Sequence, residues 1–578
     1  MLNFHKKIRQ TFLLTVIFII SHLPLAGQPT QVWVNRYNGN LNGTDIAKAL
    51  AVSTDGSIYV TGVSRENTAA GHITTIKYNA IGMQEWIDHY ALPGSGNINT
   101  GVAISIQDEA LGGNIFVGGI VEHWEGDFAL IKYTPDGTRL WTQSYSGLYQ
   151  SGEDFLVDME CDKTGGAYVL GKVNLGNGSG FDLATLRYDE NGNLLWEKNY
   201  SGASSTTDIP RALTVDDSNR VYIVSKSFNF YGSGTYDYTT ICYLPDGTEL
   251  WVVNYNGPGN GTDQPVDITN DSQQNQYITG YVTGSDGTLD FGTIMQNHFG
   301  TRLWEATYNG SASGADSAVS VAIDPNGNIY VTGKSMEIHG LIAKEAITTI
   351  SYTSQGQQRW IQHFFGQDEM GAVPSTVKVD RFGGVYVSGR QTHPQQNSNF
   401  VILKYDTSGV MQWIAAYDGP AHLDDEILNM FIDQNANIFV TGYSKGIATS
   451  HDIATIHYTQ DPTGIPTNPE DLLADSYILQ QNYPNPFNPV TNIKFRIADF
   501  PNGAGGFVAL RIYDMMGRTV RTLIQRRLSP GEYEVQWDGT NDTGQPVASG
   551  VYFYRLATYP LNPPSKGVSQ YRKMILLR

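Results

Sequence analysis

The chain has 578 residues, well beyond the ~100–200 of one ordinary domain, so several domains or one large repeat are expected. Only 16% of residues are charged, while Gly (62) and Tyr (34) are abundant, a composition suited to many short strands joined by tight turns. A formal charge of −19 without a basic stripe argues against a nucleic-acid partner, and two cysteines, Cys161 and Cys242, make neither a disulfide framework nor a CxxC metal site.

Residues 1–27 read as a signal peptide. Lys6, Lys7 and Arg9 precede the apolar run Phe12 to Ile20, and Leu25-Ala26-Gly27 offers small residues for cleavage before Gln28. A membrane anchor is the alternative, but spanning a bilayer takes about 20 apolar residues. No other run is long enough to cross, so no transmembrane segment is expected.

From residue 28 to 459 one unit repeats. Trp recurs at 33, 86, 141, 196, 251, 304, 360 and 413, at spacings of 53 to 56 residues. A period near 50 indicates a propeller or a solenoid. A strand such as NIYVTG (328–333) recurs eight times, as in SIYVTG (57–62) and NIFVTG (437–442). A strand such as TTIKY (74–78) follows it, and TIMQN (293–297) is its degenerate copy. Each unit therefore reads as four strands: one like VSVAID (319–324), then NIYVTG, then TTIKY, then the Trp strand running into Tyr-x-Gly. The connecting turns, such as DPNGN (324–328) and TPDG (134–137), carry the Gly and Asn that tolerate left-handed backbone.

The unit at about 417–459 lacks its Trp strand, and QVWVNRYNG (31–39) supplies one at the other end of the chain. Seven complete blades and one shared blade make an eight-bladed β-propeller with no exposed sheet edge. A β-solenoid would leave the lone N-terminal strand without a use. The NIYVTG and IKY-x-x-x-G-x-x-x-W patterns over 31–459 resemble the bacterial seven-bladed β-propeller repeat family, whose label differs from the count of eight.

Residues 460–476 carry three prolines and read as a linker. Residues 477–578 alternate apolar and polar positions between Pro-Gly and Asp-Gly turns, which predicts a small immunoglobulin-like β-sandwich. Pro484, Pro486 and Pro489 exclude a helix, so that stretch is expected to enter the sandwich extended. LQQNYPNPFNPVTNIKFRI (479–497), LRIYDMMGRTVRTL (510–523), the run 528–556 and the end RKMILLR (572–578) resemble the type IX secretion C-terminal sorting domain, with an insertion at 558–570. That resemblance implies Sec export, passage through the outer membrane by the type IX machinery, and then surface attachment or release.

Candidate site residues come in two groups. Asp45, Asp154, Asp208, Asp263, Asp316 and Asp425 each follow a Tyr-x-Gly and precede strand one. They are read either as a ring at the channel mouth binding a cation or sugar, or as Asx-type turns. The loops between strands two and three differ from blade to blade. In the 226–238 loop, Phe228, Phe230, Tyr231 and Tyr236 are either a stacking surface for a ligand or a local apolar cover.

YDENGNLLW (188–196) also resembles the tryptophan-docking repeat of quinoproteins, but blade packing accounts for the Trp positions. DPNGN lacks the further ligands of a calcium loop, and HExxH, GxSxG and P-loop motifs are absent. The expectation is a non-enzymatic, secreted or surface-displayed binding or scaffold propeller with no cofactor or metal. Its ligand is extracellular, a glycan or a protein. The alternative is an extracellular enzyme, quinoprotein-like or polysaccharide-active.

Overall fold

A computed structural model describes residues 28–65, 71–92, 99–121, 126–147, 153–176, 180–202, 206–229, 234–393, 398–460, 478–497, 506–514, 518–529, 531–559 and 569–577. The segment 1–27 read as a signal peptide, most of the stretch read as a linker and most of the 558–570 insertion lie outside them. Two compact units emerge, Met1–Pro462 and Thr463–Arg578.

In the first unit, seven antiparallel four-stranded sheets follow one another along the chain. The first comprises Ile46–Val52, Ile58–Ser64, His72–Tyr78 and Gln84–Tyr90. An eighth sheet is composite: Thr30–Tyr37 pairs with His451–Thr459, which continues to Ile438–Lys445 and Asp425–Ile432. The pairing sets Val34 opposite Ile456 and Tyr37 opposite Ile453. The innermost strands touch their neighbours in a closed circle, from Ile46–Val52 round to Asp425–Ile432 and back. The chain is an eight-bladed propeller closed by its N-terminal strand, and the solenoid alternative falls.

Each blade docks on the next through its Trp. The Trp86 indole donates to Pro135 O at 3.1 Å, Trp196 to Pro245 O at 2.9 Å, and Trp304 to Ser354 O at 3.0 Å, each carbonyl lying in the strand-three-to-four turn of the following blade. The glycine of that turn must have positive φ and no side chain: at Gly137 (φ +92) a Cβ would sit 2.7 Å from the Trp86 ring. Tyrosines flank the indole, with Tyr59 and Tyr133 centred 6.1 and 5.6 Å from Trp86. A cation often shares the same carbonyl: Lys77 donates to Pro135 O at 2.9 Å, and Lys132 joins Trp141 on Glu190 O.

At the seam this pattern lacks its turn, because blade eight takes its fourth strand from the other end of the chain. Gln460 replaces the missing carbonyl. Its Oε1 accepts from Trp413 at 3.2 Å and Lys404 at 2.8 Å, and its Nε2 donates to Ala436 O at 2.9 Å. Trp413 is fully buried there.

The second unit is a sandwich of two sheets. One holds Ile478–Leu479, Thr491–Ile497 and Gly531–Trp537; the other holds Thr519–Leu528, Gly506–Tyr513, Gly550–Tyr559 and Ser569–Leu576. Phe487, Ile493, Phe495, Leu510, Trp537 and Met574 are among its core residues. The proline-rich stretch is non-helical, with cis peptides at Tyr483–Pro484 and Asn485–Pro486. It is pinned to the four-stranded sheet: Asn482 N–H donates to the Tyr554 hydroxyl at 2.7 Å, and Phe487 N–H to Ile575 O at 3.0 Å.

Two outcomes test this architecture. Gln460→Ala leaves the Trp413 and Lys404 donors without their acceptor and is expected to cost about 1–3 kcal/mol, read by denaturant unfolding of the propeller. Deleting residues 28–40 removes the outer strand of blade eight and is expected to lower Tm by many degrees; an unchanged Tm contradicts the closure.

Candidate functional site

The strand-two-to-three and four-to-one loops emerge together on one face of the ring, and the tight turns occupy the other. The tight turns are internally satisfied. Asp324 accepts from Asn326 N at 2.8 Å, Asn328 N at 2.9 Å and Tyr330 OH at 3.0 Å, so DPNGN is an Asx turn.

The aspartate ring is structural as well. Asp45, Asp154, Asp208, Asp263, Asp316 and Asp425 are all fully buried. One carboxylate oxygen accepts from the glycine of the preceding Tyr-x-Gly, as Asp45 does from Gly39 at 2.8 Å and Asp425 from Gly419 at 2.7 Å. In several blades the other accepts from the backbone at the end of strand two, as Asp154 does from Asn174 at 3.0 Å and Asp263 from Thr283 at 2.7 Å. In the same blades the aspartate N–H donates to the previous blade, Asp154 to Gly126 O and Asp263 to Tyr236 O. These carboxylates join three chain segments and do not line an open mouth, which corrects the reading of a ligand ring. Burial raises them despite the amides, Asp208 and Asp263 to about 6.

Of the aromatic loop, Phe228 and Tyr236 are paired across the strands and both half-buried, with rings edge to face at 5.4 Å. Phe230 and Tyr231 lie outside the described residues. The Lys226 ammonium sits 4.9 Å from the Tyr236 ring centroid.

Lys226 belongs to a cationic group that the sequence reading missed. In blade three the Lys172 ammonium lies 3.9 Å from the Phe181 ring centroid and 4.5 Å from that of Phe155. Arg211 occupies the strand-one bulge of blade four, between Pro210 and Ala212. Its Nε is buried without a hydrogen-bond partner. All three are held below their usual values. Burial is the largest cause for each, and Arg211 pushes both lysines the same way. Glu153 partly offsets this at Lys172 and Tyr281 at Arg211. Among the described residues none of the three cations closes an ion pair. The signal in sequence was a Lys directly after strand-two Gly171 or Ser225, where blade one has Val63 and blade two Ile120.

Inside the channel, carboxylates stitch adjacent innermost strands together. Asp158 accepts from Leu213 N at 2.9 Å, Glu160 from Val215 N at 3.0 Å, and Asp267 from Val321 N at 2.9 Å. Burial raises Asp158 to about 6 and Glu160 to about 8, with Lys378 acting in the opposite sense. Among the described residues no three His, Cys, Asp or Glu side chains form a metal-ligand group. Cys161 and Cys242 are free thiols, pushed by burial to about 12.

Between blades five and six an open cleft of about 460 Å³ is lined by Tyr308, Ile338, Ile361 and His363, among others. Ser311 there donates to Glu337 at 2.6 Å, and the His363 Nδ1 pairs with the Thr348 hydroxyl at 2.8 Å. The serine is therefore bonded to the carboxylate and not to the imidazole, so this is not a nucleophile–base pair.

A family model for a β-propeller repeat matches residues 306–336, and one for the FlgD Ig-like domain matches residues 495–559. Similar solved structures include the β-propeller domain of the trilobed protease from Pyrococcus furiosus, at 8% identity and TM-score 0.36, over 73% of this chain and 96% of that one. The WD40 domain of SCAP from fission yeast is similar at 10% identity and TM-score 0.43, over 75% and 94%. A protein of unknown function from Dyadobacter fermentans is similar at 9% identity and TM-score 0.31, over 53% and 94%. No curated protein matches the chain.

The channel carboxylates make stability depend on pH. Glu160 moves from an ordinary 4.5 up to about 8, so the folded ring holds its proton more tightly than the unfolded chain. The stabilisation is complete below 4.5 and lost as pH rises through about 8. Tm of the wild type is expected to fall between pH 5 and pH 9, and Glu160→Gln to flatten that slope. An identical slope in the variant removes Glu160 as its source.

Proposed function

We propose that this chain is an exported, non-enzymatic binding propeller. In this reading the C-terminal sandwich is its type IX sorting signal, and the loop face around blades three and four is its binding surface. The observation carrying the binding role is the contrast between the two faces. The Trp docking, the aspartate clamps and the tight turns recur round the ring and are largely occupied by their own hydrogen bonds. The loop face at blades three and four instead presents unneutralised cations beside the half-buried rings of Phe228 and Tyr236. An asymmetric ligand requires different groups on different sides, and blades three and four differ here from blades one and two. The sorting role is supported by the ordered motifs of 479–578.

Removing residues 477–578 is expected to strand the protein in the periplasm, and removing 1–27 to leave it in the cytoplasm. Normal amounts of the C-terminal truncation in the medium contradict the sorting role. For the binding role, the purified propeller is screened against glycans and surface proteins. Phe228→Ala with Tyr236→Ala is expected to weaken the ligand found by tenfold or more, taking ~1.5 kcal/mol per aromatic contact, with Tm preserved. Asn326→Ala on the tight-turn face is expected to leave binding unchanged.

A further inference from the structure

We infer that the cationic group of Lys172, Arg211 and Lys226 is a binding site for an acidic polysaccharide, one carrying a carboxylate on successive sugar rings. The inference rests on the loop-face binding role proposed above and names the ligand's chemistry.

The first argument is charge. The chain carries −19, yet three cations of adjacent blades gather here without an ion pair among the described residues. Several cations elsewhere are paired or capped: Arg187 by Asp162 at 2.7 Å, Arg36 by Asp452 at 2.7 Å, Lys334 by Glu345 at 3.0 Å, Lys132 by the Glu190 carbonyl.

The second argument is how the cations are held. Lys172 is wedged between Phe155 and Phe181, whose ring centroids are 6.2 Å apart, and Lys226 rests on Tyr236. Aromatic faces fix an ammonium in position and leave its charge intact, whereas a carboxylate partner would cancel it. Held in this way, the ammonium has lost its rotamer freedom before any ligand arrives. Arg211 adds a buried Nε–H with nothing to donate to, a group whose desolvation an incoming oxyanion would relieve.

The third argument selects among anions. The cations sit on separate strands of two blades, which fits a repeating anion better than a single one. In blade five, next to blade four, Tyr281 donates to Gln264 Oε1 at 3.2 Å, leaving amide protons of Gln264 for hydroxyl oxygens. A polyuronate supplies both carboxylates and hydroxyls. An acidic peptide supplies the first and few of the second.

The test uses the purified chain, with polygalacturonate as probe by calorimetry. Its fully methyl-esterified form, dextran sulfate, neutral dextran and poly-glutamate are the comparison arms. Expected are saturable binding to polygalacturonate that weakens with salt, and little to the ester or to neutral dextran. Lys172→Gln, Lys226→Gln and Arg211→Gln should each lower affinity about tenfold, the size of one lost charge-assisted contact. Arg211→Lys should recover part of the loss, and Lys163→Gln on the tight-turn face none of it. Tm of every variant is recorded; if Arg211→Gln unfolds, the two lysine variants decide. Equal binding to the ester, preference for dextran sulfate or poly-glutamate, or indifference to all three substitutions overturns the inference. If a different ligand binds in a way that needs Phe228 and Tyr236 but not the cations, the loop-face role stands and only the acidic-polysaccharide reading fails.

Discussion

The propeller depends on one contact, the indole of each blade donating to a carbonyl in the turn of the next. The donor must be long and rigid enough to cross between sheets, and the turn must be bare enough to be reached. Trp meets the first condition and a positive-φ glycine meets the second. Each bond is worth only about 1 kcal/mol net, but it also seats a large aromatic surface between two tyrosines. Repeated around the ring, it fixes the angle between blades and therefore their number. The cation that often shares the carbonyl explains why strand three ends in Lys-Tyr or Arg-Tyr in several blades: it completes the acceptor as the indole does.

A ring made from one chain must have a seam, and the seam shows which parts of the contact are indispensable. Blade eight closes with a strand from the start of the chain, so no strand-three-to-four turn follows Tyr458. The acceptor survives as the Gln460 side chain, with Trp413 more deeply buried than its counterparts. The aspartate clamps play a parallel role on the other face. Four of the six tie the four-to-one loop to the strand-two segment of their own blade, and in several blades to the preceding blade as well, so that this face is rigid at its base. Variable loops on such a base can differ without loosening the ring.

The aspartates also illustrate how periodicity misleads. Six carboxylates at equivalent positions look like a ligand ring in sequence, yet all are fully buried and occupied by backbone amides. Repetition marks what every blade needs, which is structure. Recognition follows the departures: Lys172, Lys226 and Arg211 come together in blades three and four, whereas at the corresponding position blades one and two carry Val63 and Ile120 and the cation of blade six, Lys334, is paired with Glu345 at 3.0 Å. Singly, each reads as a solvated charge on a strand. Their meaning comes from blades three and four lying side by side, with the rings that hold the ammonium groups arriving from different strands.

The sequence by itself determined the unit, the count and the closure, because a 53–56 residue Trp period and an orphan N-terminal strand are local facts readable along the chain. It also determined the two-sheet character of the C-terminal unit through its alternation and turns. It marked Phe228, Phe230, Tyr231 and Tyr236 as either a stacking surface or a local apolar cover, since aromatics in a variable loop are visible one residue at a time. Tertiary structure alone decided which charges are neutralised. Pairing and burial depend on neighbours about 50 residues away in the next blade, and the same Lys or Asp is a clamp, a cap or an unfilled site according to what that blade presents to it.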